Sequence, residues 1–174
     1  MKNSDLIERH IISVLVDNEP GVLARVIGLF SGRGYNIESL TVAEVDIRKH
    51  LSRISIVTSG TPMVIEQIKS QLARLIPIHS VRDLTEMGAS IERELALVKI
   101  INNGDERIEA LRIADTFRAR TLDSTLESFV FEITGTSSKV AAFIDLMRSL
   151  GKVEISRTGV SAISRGNLID LSAK

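Results

Sequence analysis

The sequence predicts an α+β chain made of two tandem units, each with the order strand, helix, strand, strand, helix, strand. Short β-branched runs alternate with apolar residues at helical spacing, and the second half repeats this order. A shift of 75 residues superposes apolar residues and glycines of the two halves: Ile54, Ile56 and Gly60 fall on Phe129, Phe131 and Gly135. The order βαββαβ is that of a split βαβ unit, so we expect two ferredoxin-like domains, residues 1–84 and 91–174.

The first unit contains four β-branched or apolar runs that predict strands: 11–16, 37–45, 54–58 and 76–82. After the first run, apolar residues recur at i, i+3, i+4 and i+7 and predict a helix: Leu23, Val26, Ile27 and Phe30. We expect Gly34 to end this helix, because glycine adopts the left-handed conformation easily. A second helix follows Thr61 and carries one apolar face: Ile65, Ile68, Leu72 and Leu75.

The second unit repeats this pattern after a joint around residues 84–91. Three apolar runs predict strands: 95–101, 129–133 and 153–157. One helix is predicted by Ala110, Ile113, Ala114 and Phe117, and another by Val140, Phe143, Ile144, Met147 and Leu150. We expect Thr136 or Ser137 to cap the start of the later helix.

The composition excludes several classes of protein. Lys+Arg and Asp+Glu number 22 each and aromatic residues make up 3%, so we expect no nucleic-acid partner. The absence of Cys removes disulfides, thiolate metal sites and Cys nucleophiles. No apolar run approaches the ~18 residues of a membrane span, and the first residues are polar. We therefore expect a soluble cytoplasmic protein.

Catalytic and metal-ligating patterns are missing from the sequence. His10, His50 and His79 do not share a helix face with another His or a carboxylate at metal-ligand spacing. The segment 135–139 lacks the second glycine of a phosphate-binding loop. We expect no catalytic residues and no metal site.

The turn at residues 17–21 is the most informative segment, because a strand ends there and a helix begins at once. Bare N–H groups at a helix N-terminus attract an anion, and Gly21 permits close approach to the backbone. Asn18 adds an amide donor and acceptor, while Val22 and Leu23 place apolar surface beside it. This combination suits an amino acid. The alternative is that Asn18 only caps the helix.

Two other positions bear on this interpretation: the corresponding helix start of the second unit, and Asn36. At the corresponding helix start of the second unit, we expect Asp105 or Glu106 to match Gly21 and to repel a carboxylate. Asn36 is either a turn residue or a group that reaches a ligand on a neighbouring subunit. Domains of about 80 residues have marginal cores and open sheet edges, so we expect a homodimer or a higher assembly with sheets joined edge to edge.

Three segments of the first half carry a family resemblance: 17–23, 28–31 and 33–42. Their sequences, DNEPGVL, GLFS and RGYNIESLTV, resemble the N-terminal ACT domain of acetolactate synthase small subunits, the regulatory subunits of acetohydroxyacid synthase. Matches in the second half extend the resemblance to nearly the whole chain: 92–99, 135–139 and 159–166.

The resemblance implies a regulatory subunit without a cofactor of its own, with an N-terminal ACT domain and a C-terminal ACT-like domain. Members of the family bind a branched-chain amino acid, usually valine, between ACT domains of a homodimer, and they associate with a large catalytic subunit. That partner uses thiamine diphosphate, Mg²⁺ and usually FAD. The implied effector site combines residues of two subunits: Asn18, Gly21, Val22 and Leu23 of one with Asn36 and Ile37 of the other.

Two other functions are open at this point, as is the choice among valine, leucine and isoleucine. A free-standing ACT-type sensor that acts on another partner is compatible with the same turn. An acylphosphatase shares the ferredoxin-like fold, but it needs a cationic phosphate loop after the first strand. This chain has Asp17, Asn18 and Glu19 there, which argues against that enzyme.

Overall fold

The computed structural model describes residues 6–167 and residue 169. The chain divides into two compact units: the first holds the described residues up to Ile91 and from Val160 onward, and the second is Glu92–Gly159. Antiparallel sheets and helices in the order βαββαβ confirm the predicted α+β class and the ferredoxin-like repeat. The domain boundaries 1–84 and 91–174 stay a prediction, because a compact unit need not coincide with an independently folding domain.

Up to Ile91, the described part of the first unit contains six complete elements: β1 (Glu8–Asp17), α1 (Val22–Arg33), β2 (Ser39–Asp46), β3 (Leu51–Gly60), α2 (Pro62–Leu72) and β4 (Ile78–Asp83). The strands pair in the order β2-β3-β1-β4, with Ile12 opposite Ile56 in the central ladder. Because side chains alternate along a strand, every second residue of β1 and β3 faces the helices. These residues build one core with the helices: Ile12, Val14, Val16, Val22, Val26, Phe30, Ile54, Ile56, Ile65, Ile68 and Leu72.

The helix boundaries follow from local backbone chemistry. α1 ends at Gly34, whose φ of 70° is left-handed, as predicted. α2 begins after Thr61, whose hydroxyl accepts the N–H of Val64. The same arrangement recurs 75 residues later, where the Thr136 hydroxyl accepts the N–H of Lys139. Of the two predicted caps for that helix, Thr136 is therefore the one that forms.

The second unit contains most of β5 (Ser90–Ile101), which begins two residues before it, followed by α3 (Gly104–Phe117), β6 (Arg120–Ser124), β7 (Ser128–Gly135), α4 (Ser137–Leu150) and β8 (Lys152–Arg157). The strands pair in the order β6-β7-β5-β8. Their inward residues and those of both helices form the core: Ala96, Val98, Ile100, Ala110, Ala114, Phe129, Phe131, Ile133, Val140, Phe143, Ile144 and Met147. β6 was not among the predicted strands, because every residue of it is exposed and no buried alternation marks it.

A short strand, β9 (Ser161–Ser164), was also not predicted, and it pairs with β5. Just before it, the Val160 N–H donates to Ser39 Oγ at 2.7 Å. Residues around β9 form a small apolar cluster on the face of the first sheet opposite its helices: Ile11, Val57, Leu84, Val160 and Ala162. Residues 160–162 therefore cover part of this face.

The helices are short. The longest, α3 and α4, have 14 residues each, and within residues 6–167 no helix combines the length and apolar character needed to cross a bilayer.

Candidate functional site

The loop between β1 and α1 is fixed at its start by two backbone hydrogen bonds. The Asp17 N–H donates to the Pro77 carbonyl at 2.9 Å, and the Asn18 N–H donates to the His50 carbonyl at 2.7 Å. Pro77 lies just before β4, and His50 lies in the turn between β2 and β3. The loop therefore lies at the end of the sheet formed by the last residue of β1, the start of β4 and the turn between β2 and β3.

The start of α1 leaves backbone donors bare. Gly21 is the N-cap, with a left-handed φ of 87°, and no side chain caps the helix. The Val22 N–H reaches only the Glu19 carbonyl, at a long 3.4 Å. Within the described residues, no acceptor pairs with the N–H of Leu23 or Ala24. Such a helix start is suited to an anionic group, because the N–H groups and the helix dipole both favour negative charge.

The side chains around this start divide into two groups. Val22 is only 4% exposed and belongs to the core, so it offers the site a backbone N–H and little surface. Leu23 is 37% exposed and supplies accessible apolar surface, although the spacing alone had placed it in the core stripe. Asn18 is exposed, is not the N-cap, and its amide has no partner among residues 6–167. The alternative that Asn18 caps α1 is therefore wrong.

The remaining predicted residues, Asn36 and Ile37, lie at the other end of the same sheet. The Asn36 carbonyl accepts the Thr58 hydroxyl at 2.7 Å, whereas β1 ends opposite Leu51. Leu51 and Thr58 are seven residues apart along β3, which corresponds to roughly 23 Å. One copy of the chain therefore does not bring Asn36 to Gly21.

The helix start in the second unit differs from that of α1. α3 begins at Gly104 with Asn103 as the N-cap, so Asn103 matches Gly21. The predicted match to Asp105 or Glu106 was wrong because only two residues separate β5 from α3, against four between β1 and α1. Both acidic residues lie in the first turn of α3, where their charges oppose an incoming carboxylate.

The structure brings together a histidine and two carboxylates that no local sequence pattern connects. Ligand atoms of His10, Asp83 and Glu86 lie within 4.8 Å of one another. His10 Nδ1 is 2.7 Å from Asp83 Oδ2, and Lys69 Nζ donates to Glu86 Oε2 at 2.6 Å. Burial acts to lower the pKa of Lys69, but hydrogen bonds to Glu66 and Glu86 outweigh it and hold that pKa above its ordinary value. The ammonium group thus already supplies the positive charge that a metal ion would bring.

A second contact between a histidine and a carboxylate borders the candidate site and was also missed. His79 Nε2 lies 2.6 Å from Asp17 Oδ1, one residue before Asn18. The two residues are 62 positions apart, and only the pairing of β4 with β1 brings them together. No local sequence pattern indicates such a contact.

Comparison with known proteins is consistent across families, sequences and structures. Residues 12–80 match the family model of the AHAS small subunit-like ACT domain, and residues 93–166 match that of the small subunit of acetolactate synthase. The chain is 49% identical to a probable acetolactate synthase small subunit of Archaeoglobus fulgidus, over 91% of this chain and 98% of that protein. It is 48% identical to the acetolactate synthase isozyme 3 small subunit of Escherichia coli, over 92% and 98%.

A solved structure gives the same answer for the fold. The crystal structure of the acetolactate synthase small subunit from Thermotoga maritima covers 92% of this chain and 99% of its own, with a TM-score of 0.83 and 39% identity. The matches span both βαββαβ units and confirm the resemblance stated from the motifs. This chain belongs to the family of acetolactate synthase small subunits.

Proposed function

We propose that this chain regulates a large catalytic subunit of acetolactate synthase and binds valine through its N-terminal ACT domain. The observation that carries the proposal is the bare start of α1, where a left-handed Gly21 replaces a capping side chain. The free N–H groups there hold the valine carboxylate, the Asn18 amide bonds its polar groups, and exposed Leu23 contacts its side chain.

In this proposal the effector site is shared between two copies of the chain. One copy contributes Asn18, Gly21, Val22 and Leu23, and the other contributes Asn36 and Ile37. The separation of the two groups along one sheet supports sharing. In a homodimer with a two-fold axis, residues at one end of a copy can meet residues at the other end of its partner.

Regulation then follows from a difference in affinity. Valine binds one arrangement of the ACT dimer better than another, which shifts the populations that the catalytic subunit contacts. A coupling free energy of about 1–3 kcal/mol corresponds to a roughly 5- to 150-fold change in affinity.

We also propose that the chain has no catalytic residues, and that thiamine diphosphate, Mg²⁺ and FAD are bound by the large subunit. Both proteins act in the cytoplasm, and the chain folds as domains 1–84 and 91–174.

Calorimetry on the purified chain with valine, leucine and isoleucine tests the binding step. Acetolactate formation by the catalytic subunit, measured with and without this chain, tests the regulatory step. We expect valine to bind, the chain to raise the activity, and valine to reverse that rise. If the chain binds no branched-chain amino acid, the proposal fails. If it binds one but co-purifies with a different protein and leaves acetolactate synthase unaffected, it is a free-standing sensor.

A further inference from the structure

We infer that His79 is a positioning residue for the effector, because its ring forms a hydrogen bond with the carboxylate of Asp17 and holds that group beside the bare start of α1. This inference rests on the proposed function, since it concerns the same carboxylate-binding site. Among the described residues, no hydrogen bond or ion pair joins His79 to Asn18 or Gly21; it acts through Asp17.

The contact between the two side chains is short and partly shielded. His79 Nε2 lies 2.6 Å from Asp17 Oδ1, and the side chains are 23% and 37% exposed. An ionised carboxylate can only accept hydrogen bonds, so the imidazole donates. The bond is therefore charge-assisted, and one of the two carboxylate oxygens is occupied by the ring.

Backbone contacts tie the same aspartate to the same segment. The Asp17 N–H donates to Pro77, two residues before His79, so β4 and the residues before it hold both the backbone and the side chain of Asp17. The next residue, Asn18, is held by the His50 carbonyl. The direction in which the loop leaves β1, and with it the position of Gly21, depends on these three bonds.

The contact between His79 and Asp17 matters for effector binding because Asp17 carries an acid group. A carboxylate this close to the start of α1 repels the acid group of an incoming amino acid and competes for the same N–H donors. The hydrogen bond to His79 occupies one oxygen of the carboxylate and keeps the group at β4. Removing the ring therefore weakens the effector site by leaving a free acid group next to it.

The test uses the full-length chain and calorimetric titration with valine. We expect His79→Leu to bind valine about 5- to 10-fold more weakly, because the Asp17 carboxylate is then free to move toward the N–H donors of α1 and to repel the valine carboxylate. His79→Gln, which keeps an N–H donor, is the conservative control and retains most of the affinity. Thermal unfolding of each variant shows whether it is folded.

A double variant separates the electrostatic role from a merely structural one. The double variant Asp17→Asn, His79→Leu lacks the negative charge of the Asp17 carboxylate, so we expect its valine affinity to return to within about 2-fold of the wild type. Equal affinity of His79→Leu and wild type overturns the inference, as does a double variant as weak as His79→Leu. A wild-type chain that binds no branched-chain amino acid overturns the proposed function and this inference with it.

Discussion

Gly21 offers a test in which stability and effector affinity change in opposite directions. Asn and Asp have nearly the same shape, and both tolerate the left-handed φ of 87° better than other side chains. A Cβ at Gly21 meets no heavy atom within 4 Å, so neither side chain is excluded by sterics. Gly21→Asn and Gly21→Asp therefore form a matched pair that differs in one negative charge.

The size of each effect follows from simple electrostatics. A new carboxylate about 5 Å from the valine carboxylate costs about 0.8 kcal/mol at a dielectric constant of ~80 and about 3.3 kcal/mol at ~20. We therefore expect Gly21→Asp to bind valine between about 4-fold and about 250-fold more weakly than Gly21→Asn. The same charge stabilises the N-terminus of α1, by about 0.3–1 kcal/mol.

Calorimetry with valine and chemical unfolding of both variants measure the two quantities. The expected result is a Gly21→Asp protein that is slightly more stable than Gly21→Asn and binds valine more weakly. Equal or tighter binding by Gly21→Asp would mean that the valine carboxylate does not lie at the start of α1. The proposed roles of Gly21, Val22 and Leu23 would then be wrong.

Two further predictions concern the second unit, and equilibrium unfolding measures both. Glu94 is buried and accepts a hydrogen bond from Arg157 Nε at 2.6 Å. We expect Glu94→Ala to lower the free energy of unfolding by about 2 kcal/mol, which is below the usual range for a buried pair because Arg157 is partly exposed. A variant as stable as the wild type would show that the pair makes no net contribution to stability. Gly151→Ala is expected to cost about 1–3 kcal/mol, because its Cβ would overlap the Ile101 carbonyl oxygen. The control is Gly28→Ala, where an added Cβ meets no atom within 4 Å in α1, and it should be neutral or stabilising.

The spacing of apolar residues was sufficient to predict an element wherever the buried face of that element repeats along its own sequence. The stripe from Ile65 to Leu72 and the recurrence of Thr61 as Thr136 rest on contacts within a few residues, so the sequence contains the full signal. In α1, Val26 and Phe30 are buried as predicted. The buried face begins at Val22 rather than at the partly exposed Leu23, because the buried residues recur at i, i+4 and i+8.

Features that depend on distant partners could not be predicted in this way. β6 is an exposed edge strand whose existence depends on pairing with β7 rather than on its own apolar pattern. The contact of His79 with Asp17 requires knowing that β4 lies beside β1. Residues such as Asn36 and Gly21 belong to one proposed site only through a second copy, which a single-chain pattern does not describe.

The cluster around Val160 has a consequence for how the protein is made. Ile11 and Val57 emerge from the ribosome long before Val160 and Ala162, yet these residues complete one apolar cluster. Closing a chain segment of that length costs entropy before the contact stabilises anything. One apolar patch of the N-terminal sheet therefore stays bare on the nascent chain until Val160 and Ala162 have been synthesised.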